Sequence, residues 1–525
     1  MSEHSTTQRF LFADVFPKPV VVEFDQRQGS SDGGAILLKA ADRRLQMTQA
    51  LAACLVDKRQ PGKVEHEIEE LLAQRIYGMA CGYADANDAA RLAQDPVHKL
   101  LLQRDPIEGA DLASQPTLSR FENSVDRKPL YRRGEALAER VIERHRRRLH
   151  GRARRITLDL DPTDDPTHGA QQLTFFNGHY DTWCYLPVVG FLSFNDEKEQ
   201  YLFTAVLRPG NAPAKAGAIG ILWRILQRLR RAFPKARIRV RLDGGFADPL
   251  VLTFLDTMGV EYVVAMAQNA VLNRRAEPKM RQGRELVAES GKTEHVYGEG
   301  RYAAESWLSE RRMIFKAEVV RQPGKEPKDN PRFVITNLQQ SPQWIYERVY
   351  CERGDIENRI KELHHGMEID RTSCSKFWAN QFRVLMTAAA YVLMQELRLR
   401  AARTDCARAQ VGILRERLLK LGAYVVVSVR RVVIHLPVSF PFLSSFRKIA
   451  LAFGALSGQP ADFSRNIFTV RCTTPGLSRG VLGIDWNLVL IRPAPEKGVT
   501  RHRADFQDRS QVARNASNSC LAICS

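Results

Sequence analysis

The pattern of apolar and polar positions divides the chain into a helical first part and an α/β second part. Residues 20–24 form a short predicted strand, and from about residue 35 to residue 150 the apolar positions follow a helical period that Pro and Gly interrupt. From residue 155 onward, short alternating segments typical of strands dominate. This change predicts a boundary between two regions near residue 150.

The second part contains five predicted strands and two predicted helices. In chain order they are strand, strand, strand, helix, strand, helix and strand, over residues 156–161, 185–194, 201–207, 214–232, 238–243, 249–258 and 261–266. Asn195 and Asp196 are turn formers that join the second and third strands as a hairpin. This order is that of an RNase H-like α/β core, in which the first and fourth strands are neighbours. Such a core needs one more helix, which the helical pattern around Glu357 supplies.

About 75 residues separate the fifth strand from the helix around Glu357. Segments 312–320 and 332–336 within them have the composition of strands. A structureless loop of that length is uncommon in a compact domain, so we predict a β-rich insertion at about 270–344. A long apolar helix follows, from residue 377 to about residue 400.

The charge of the chain changes this picture, because it indicates a partner. The chain has 78 Lys and Arg against 59 Asp and Glu, a formal net charge of +19. Such a surplus favours a polyanion, with nucleic acid ahead of a membrane surface. The sequence has neither an apolar run that could span a bilayer nor the pattern of a signal peptide, so we expect a cytoplasmic protein without a membrane partner. The nine cysteines include no C-x-x-C pair, which argues against a zinc knuckle.

Basic residues are concentrated at the end of the helical part. Segment 144–155 contains the consecutive Arg146, Arg147 and Arg148 and no acidic residue. A solvated helix face usually mixes charges of both signs. The one-sided run therefore predicts that these three arginines contact the backbone of a nucleic acid.

The predicted helix around Glu357 combines one carboxylate with several groups that bind phosphate. At about 100° per residue, Tyr350, Arg353, Lys361 and His364 lie on the same face as Glu357. The adjoining face is apolar and suited to packing. A solvated charged face is the simpler interpretation of such a stripe taken alone, so its meaning depends on whether other carboxylates lie beside Glu357.

Three aspartates are candidates for that position. Asp159 and Asp161 share one face of the first strand, and Asp243 ends the fourth strand, its predicted neighbour. Each aspartate taken alone also fits a structural turn. Carboxylates crowded together repel one another and raise each other's pKa. A pair of hard divalent cations held by oxygen ligands relieves this repulsion, and such a pair promotes in-line phosphoryl displacement.

Three blocks of the sequence resemble DDE transposases of bacterial insertion sequences. They are residues 158–169, residues 177–187 and residues 242–246, which begin Leu-Asp-Leu-Asp-Pro-Thr, Asn-Gly-His-Tyr-Asp and Leu-Asp-Gly-Gly-Phe. The resemblance is closest to insertion-sequence family 1380 and extends from about residue 33 to residue 448. It implies an RNase H-like catalytic core with a β-rich insertion before the glutamate.

The same group of transposases has the signature Y-x2-R-x3-E-x6-K. Tyr350, Arg353 and Glu357 match it at the right spacing, whereas His364 stands at the position of the lysine. Lys361, one turn earlier on the same face, is an alternative source of that charge. The resemblance implies that Tyr350 and Arg353 contact a phosphate at the end of the DNA element.

The resemblance also implies the catalytic set and its cofactor. The family places the first aspartate in an Asp-x-Thr context, which Asp161 fits better than Asp159. The expected ligands are then Asp161, Asp243 and Glu357, with Asp159 as the alternative first carboxylate. They would bind two Mg²⁺ ions, for which Mn²⁺ can substitute. The expected partner is double-stranded DNA, both the terminal inverted repeats and the target, and a homodimer acting on paired ends is consistent with this.

Four regions follow from these observations. We predict a mainly helical region that binds DNA, an RNase H-like catalytic domain, a basic region of helices and strands, and an irregular tail, over residues 1–150, 151–400, 401–473 and 474–525. The expected enzyme is a Mg²⁺-dependent, nucleoid-associated DNA transposase. Two alternatives stay open, namely a nuclease of the same fold without strand transfer and a catalytically silent DNA-binding protein derived from an element.

Overall fold

A computed structural model describes residues 9–457 of the chain. The strands are β1 (Phe10–Phe12), β2 (Val20–Val22), β3 (Gly29–Ser30), β4 (Arg155–Pro162), β5 (Asp165–Pro166), β6 (Phe175–Asn177), β7 (Thr182–Tyr185), β8 (Val188–Phe194), β9 (Tyr201–Val206), β10 (Arg237–Leu242), β11 (Glu261–Met266), β12 (Glu294–Tyr302), β13 (Arg311–Val320), β14 (Lys328–Asp329), β15 (Arg332–Thr336), β16 (Ala423–Ser428) and β17 (Arg431–His435). The predicted tail at 474–525 lies outside the described residues.

The helices fall mainly before β4 and after β15. They are α1 (Ile36–Leu45), α2 (Met47–Ala52), α3 (Ile68–Ala80), α4 (Ala86–Arg91), α5 (Pro96–Leu101), α6 (Gln115–Asn123), α7 (Arg127–Arg148), α8 (Ala218–Ala232), α9 (Pro249–Thr257), α10 (Ala270–Ser290), α11 (Pro342–Ile345), α12 (Asp355–Met367), α13 (Phe377–Arg400), α14 (Val411–Leu414) and α15 (Leu443–Ala452). The helical pattern predicted before residue 150 is confirmed by α1 to α7, and the apolar helix predicted after residue 376 is confirmed by α13. Within the described part of the chain, no helix combines the length and the apolar composition needed to cross a bilayer.

A large mixed sheet forms the centre of the α/β part. Its main path of strands runs β12-β13-β15-β11-β10-β4-β8-β9. The strands β4, β10 and β11 are parallel, whereas β8 and β9 form the predicted antiparallel hairpin. The prediction that the first and fourth strands are neighbours is confirmed, because β4 pairs with β10. The predicted strand 185–194 is divided in the structure, since Tyr185 ends β7 and β8 begins at Val188.

Helix α13 joins the helical part to the sheet. It is buried on almost every side, because α3 and α7 pack against it along with the edge strand β9. Two glutamines of α13 satisfy backbone groups of that edge. Gln381 accepts a hydrogen bond from the N–H of Leu207 at 2.7 Å, and Gln395 donates one to the carbonyl of Gln200 at 2.8 Å. This edge of the sheet is therefore covered and cannot pair with a strand of another chain.

The insertion differs from its prediction in its first third. The strands predicted at 312–320 and 332–336 are confirmed as β13 and β15, but residues 270–290 form helix α10. Its buried stripe includes Ala276 and Gly283, and Pro278 lies inside it, so the helical signal in the sequence is weak. Strand β15 pairs with β11, so the insertion extends the central sheet.

Candidate active site at the ends of two parallel strands

The pairing of β4 with β10 brings two of the predicted site residues together. Arg241 lies opposite Asp159 in the parallel register, so the next positions on the same face are Asp243 and Asp161. Asp243 follows the last residue of β10 and accepts a hydrogen bond from the N–H of Gly245 at 2.9 Å. A Cβ at Gly245 would lie 2.6 Å from that of Ala214, so this turn requires glycine. Asp243 thus has the structural turn role, and its second oxygen, Oδ2, faces the guanidinium of Arg353.

Arg353 connects the two aspartates. Its Nη2 lies 2.6 Å from Oδ1 of Asp161 and 4.0 Å from Oδ2 of Asp243. The guanidinium is largely buried, and its Nε has no hydrogen-bond partner among residues 9–457. The sequence predicted Arg353 as a phosphate ligand, and the structure places it against the two predicted catalytic carboxylates.

The environment of Asp161 opposes its negative charge. Burial raises the pKa of Asp161 to about 7, the nearby charge of Asp243 adds to that increase, and the guanidinium of Arg353 opposes it. Two adjacent carboxylates with little solvation are a donor set that suits a hard divalent cation, because Mg²⁺ prefers carboxylate oxygens. The residues present therefore fit the cofactor that the sequence predicted.

Asp159 has a different environment, although it lies only two residues away. Both of its oxygens accept hydrogen bonds from the guanidinium of Arg241, at 2.7 and 2.8 Å, and Gln200 donates a third at 3.0 Å. Arg241 also donates to the carbonyl of Val349, in the segment that leads to Glu357. The fully buried Asp159 is thus held in an ion pair with Arg241 inside the protein. Because both of its oxygens already have partners, Asp161 is favoured as the first carboxylate of the site.

Glu357 is exposed and makes no hydrogen bond or ion pair with the described residues. It does not join Asp161 and Asp243 within ligand distance. Across residues 9–457, the one group of three side chains close enough to share an ion is Asp32, Cys81 and His98. In that group Asp32 already contacts His98 at 2.9 Å and Lys420 at 2.8 Å. The structure thus brings together two of the three predicted ligands and leaves Glu357 apart.

Comparison with known families shows which family the chain belongs to. The family model described as Transposase DDE domain group 1 matches residues 12–457, and Asp161, Asp243 and Glu357 all lie within the match. The chain belongs to the DDE transposases. A comparison with curated proteins found no match.

The glutamate helix of this DDE transposase is less regular than the sequence predicted. After α11, residues Tyr346–Tyr350 form a π-helical turn and Cys351–Gly354 a 3₁₀ turn before α12 begins at Asp355. The prediction of a regular α-helix, with 100° per residue, is therefore wrong for the residues before Asp355. The apolar face is largely confirmed, because Val349, Ile356 and Leu363 are buried. π-Helical turns often occur at functional sites of proteins.

The two predicted phosphate ligands after Glu357 on this helix, Lys361 and His364, have different environments. Lys361 is exposed. His364 lies inside, where its Nε2 is 3.0 Å from the Thr163 hydroxyl and its Nδ1 is 3.0 Å from a carboxylate oxygen of Asp370. Both ring nitrogens of His364 therefore have partners within the protein. The signature Y-x2-R-x3-E-x6-K has lysine at this position, whereas here the histidine links the residue after β4, the strand of Asp161, to the helix of Glu357.

The basic run of this DDE transposase is partly internal. Arg144 is buried beside Glu396, and Arg148 makes two hydrogen bonds of 2.8 Å to Glu197. Arg146 and Arg147 are exposed and pair only with Glu143, on their own helix. Arg146 and Arg147 are therefore the members of the predicted DNA-binding triplet that a phosphate backbone can reach most readily.

Sequence reasoning missed two groups near the site. The first is Arg241. Its position could have been noticed in the sequence, because it is a charged residue on the polar face of a strand that is otherwise buried. The second is Tyr180, whose pKa is raised to about 12 by burial and by the charges of Asp164, Asp161 and Asp243. Tyr180 belongs to one of the three blocks that resembled DDE transposases, although no role was predicted for it.

Proposed function

We propose that the chain is the transposase of an insertion sequence of family 1380. It cleaves the ends of its DNA element and joins the released 3′-hydroxyls to target DNA. The observation that carries the proposal is the pair Asp161 and Asp243, at the ends of adjacent parallel strands and facing one guanidinium. It acts on DNA in the bacterial cytoplasm, at the nucleoid, as a homodimer on paired ends.

The RNase H-like core of this proposal is supported by strand order. The five strands β9-β8-β4-β10-β11 lie side by side, with the first three in chain order antiparallel and the last two parallel to β4. A fold of this kind places functional groups at the ends of its central strands. Asp161 and Asp243 occupy that place, and α12, the helix of Glu357, contacts the end of β4 through the hydrogen bond between His364 and Thr163.

The mechanism assigns a role to each polar group of the site. Asp161, Asp243 and Glu357 would hold two Mg²⁺ ions, or Mn²⁺, which when bound supply charge stabilisation for in-line displacement at phosphorus. The guanidinium of Arg353, which lies against Asp161, would hold a phosphate oxygen of the strand end. Tyr350 lies beside it, and Lys361 faces solvent where the DNA backbone approaches. Arg146 and Arg147 bind the backbone farther out.

A cleavage assay on supercoiled donor DNA tests this function. The donor carries the DNA that flanks the gene, including its inverted repeats. We expect cuts at both element ends with Mg²⁺ or Mn²⁺, none in EDTA, and products in which the ends are joined to a target plasmid. Cuts without joined products would favour the nuclease, and metal-independent binding without cuts would favour the catalytically silent DNA-binding protein.

Replacement of His364 by lysine tests whether this residue positions the site or binds phosphate. A lysine cannot maintain both hydrogen bonds of the imidazole, so we expect His364→Lys to lower cleavage about tenfold, and Thr163→Val to do the same. Because the two changes remove one shared contact, the double variant should be no worse than either single variant. Full activity of His364→Lys together with an unaffected Thr163→Val would instead show that His364 replaces the signature lysine as a phosphate ligand.

A further inference from the structure

Three side chains of the kinds that bind transition metals meet in the interior of the protein. Asp32 precedes α1, Cys81 follows the last residue of α3, and His98 lies in α5. One donor atom of each side chain lies within 4.8 Å of the other two, and all three residues are buried. Carboxylate, thiolate and imidazole are the ligand types of zinc sites. Because the three residues are far apart in the chain, no motif of close spacing marks them in the sequence.

The backbone holds these side chains in place. The chain that follows Asp32 packs tightly on the segment before Lys420, since a Cβ at Gly34 would overlap the carbonyl oxygen of Leu418. At the start of α5, the backbone N–H of His98 donates a hydrogen bond to the preceding turn, to Oδ1 of Asp95, at 2.9 Å. The donor atoms are therefore positioned by the fold, and little ordering entropy remains to be lost when an ion binds.

Lys420 balances the charge of Asp32 and also lies on the way into the cluster. Its ammonium is 2.8 Å from Oδ1 of Asp32, and Nε2 of His98 is 2.9 Å from Oδ2. Burial raises the pKa of the Cys81 thiol, so this thiol holds its proton. The side chain of Lys420 is 30% exposed, whereas that of Asp32 is fully buried. Because the lysine stem is flexible, the ammonium can move into solvent and open a path to the carboxylate.

We propose that Asp32, Cys81 and His98 bind one Zn²⁺ ion, which stabilises the fold. The ion replaces the ammonium of Lys420 at Asp32, and the thiol proton of Cys81 passes to solvent as the sulfur binds the metal. The charges then balance inside the protein, because carboxylate and thiolate together neutralise the ion. Both oxygens of Asp32, with the sulfur and one imidazole nitrogen, supply the four donors of a closed structural site. Such a site ties the start of α1 to α3 and α5, and its binding energy adds to the stability of the protein.

The test uses the full chain, freed of metal with EDTA and then dialysed, with Co²⁺ as the spectroscopic substitute for zinc. We expect a thiolate-to-cobalt charge-transfer band in the near ultraviolet that saturates at one ion per chain. Zn²⁺ should remove the band and Mg²⁺ should not, because Mg²⁺ prefers oxygen ligands. Cys81→Ser should abolish the band, and His98→Gln should weaken Co²⁺ binding by about tenfold or more. Cys406→Ser, at another buried free cysteine, is the matched control and should leave the band unchanged.

Lys420→Met separates a metal site from a simple network of ion pairs. The change leaves Asp32 with His98 alone, so the variant should unfold at lower urea than wild type in EDTA, and Zn²⁺ should restore its resistance. Its affinity for Co²⁺ should rise about tenfold, because no ammonium competes for the carboxylate.

Three results would overturn the metal site and leave the ion pairs alone. They are the absence of the band in wild type, its persistence in Cys81→Ser, and an affinity for Co²⁺ that is unchanged or lower in Lys420→Met. None of these residues belongs to the set proposed for DNA cleavage. Failure of the metal site would therefore leave the proposed transposase activity intact, and failure of cleavage would leave the cobalt result intact.

Discussion

Asp161→Asn is expected to abolish cleavage while leaving the protein folded and more stable. In the proposed mechanism Asp161 would help to hold the cations, whose charge stabilisation of the transition state is worth several kcal/mol. Its loss corresponds to a decrease on the order of 10³-fold or more in cleavage rate. Its carboxyl group also opposes folding when it is ionised, because burial raises its pKa to about 7. Removal of the charge should therefore stabilise the metal-free protein.

The stability of the wild type should depend on pH through this same group. The pKa of Asp161 is raised above its unfolded value, so between about pH 4 and pH 7 the folded state holds the proton more tightly than the unfolded state. The free energy of unfolding then falls as the pH rises through this range. At pH 8 in EDTA, urea unfolding should show Asp161→Asn more stable than wild type by on the order of 4 kcal/mol, and at pH 4 the difference should be below about 1 kcal/mol.

Asp159→Asn is the matched control for Asp161→Asn, because it changes the same group two residues earlier. It leaves the buried guanidinium of Arg241 without its carboxylate, so the expected result is destabilisation by about 3 kcal/mol. A folded and inactive Asp159→Asn, together with an Asp161→Asn variant that still cuts DNA, would show that Asp159 is the first catalytic carboxylate.

The core strands of the fold could be predicted from the sequence because each has an unambiguous period and clear turn residues at its ends. Strand β11 is predicted to the residue, and the neighbouring positions of β4 and β10 follow from their order in the chain. Helix α10 was missed because its buried stripe consists partly of Ala and Gly, which a search for large apolar residues does not detect.

Within the site, the identity of the carboxylates could be predicted but not their partners. Spacing places Asp159 and Asp161 on one face without showing that Arg241 binds the first and Arg353 the second. Likewise, a helical period makes His364 a neighbour of Glu357, whereas its hydrogen bonds to Thr163 and Asp370 depend on the approach of a distant strand and the end of α12. Contacts between segments far apart in the chain are not contained in local periodicity.

We propose that a change in the irregular turns before α12 allows Glu357 to complete the site. The π and 3₁₀ turns over Tyr346–Gly354 directly precede the helix that carries Glu357, and Arg241 holds the first of these turns through the carbonyl of Val349. In this proposal, a change in these turns brings Glu357 toward Asp161 and Asp243. In the proposed mechanism, binding of the DNA end and the cations supplies the energy for that change, since Arg353 lies in the same segment and gains a phosphate partner.

Glu357→Gln should accordingly lower the cleavage rate by on the order of 10³-fold. It should not lower the stability of the metal-free protein, because the exposed Glu357 makes no hydrogen bond or ion pair with the described residues. Asp355→Asn is the matched control, since Asp355 is also an exposed acidic residue in the first turn of α12, and it should retain near wild-type cleavage. Cleavage is measured on the supercoiled donor, and stability by urea unfolding in EDTA. Binding of the DNA end should persist in Glu357→Gln, because Arg353 and the exposed arginines remain. Cleavage by Glu357→Gln at the wild-type rate would remove Glu357 from the site and leave Asp161 and Asp243 in need of another third ligand.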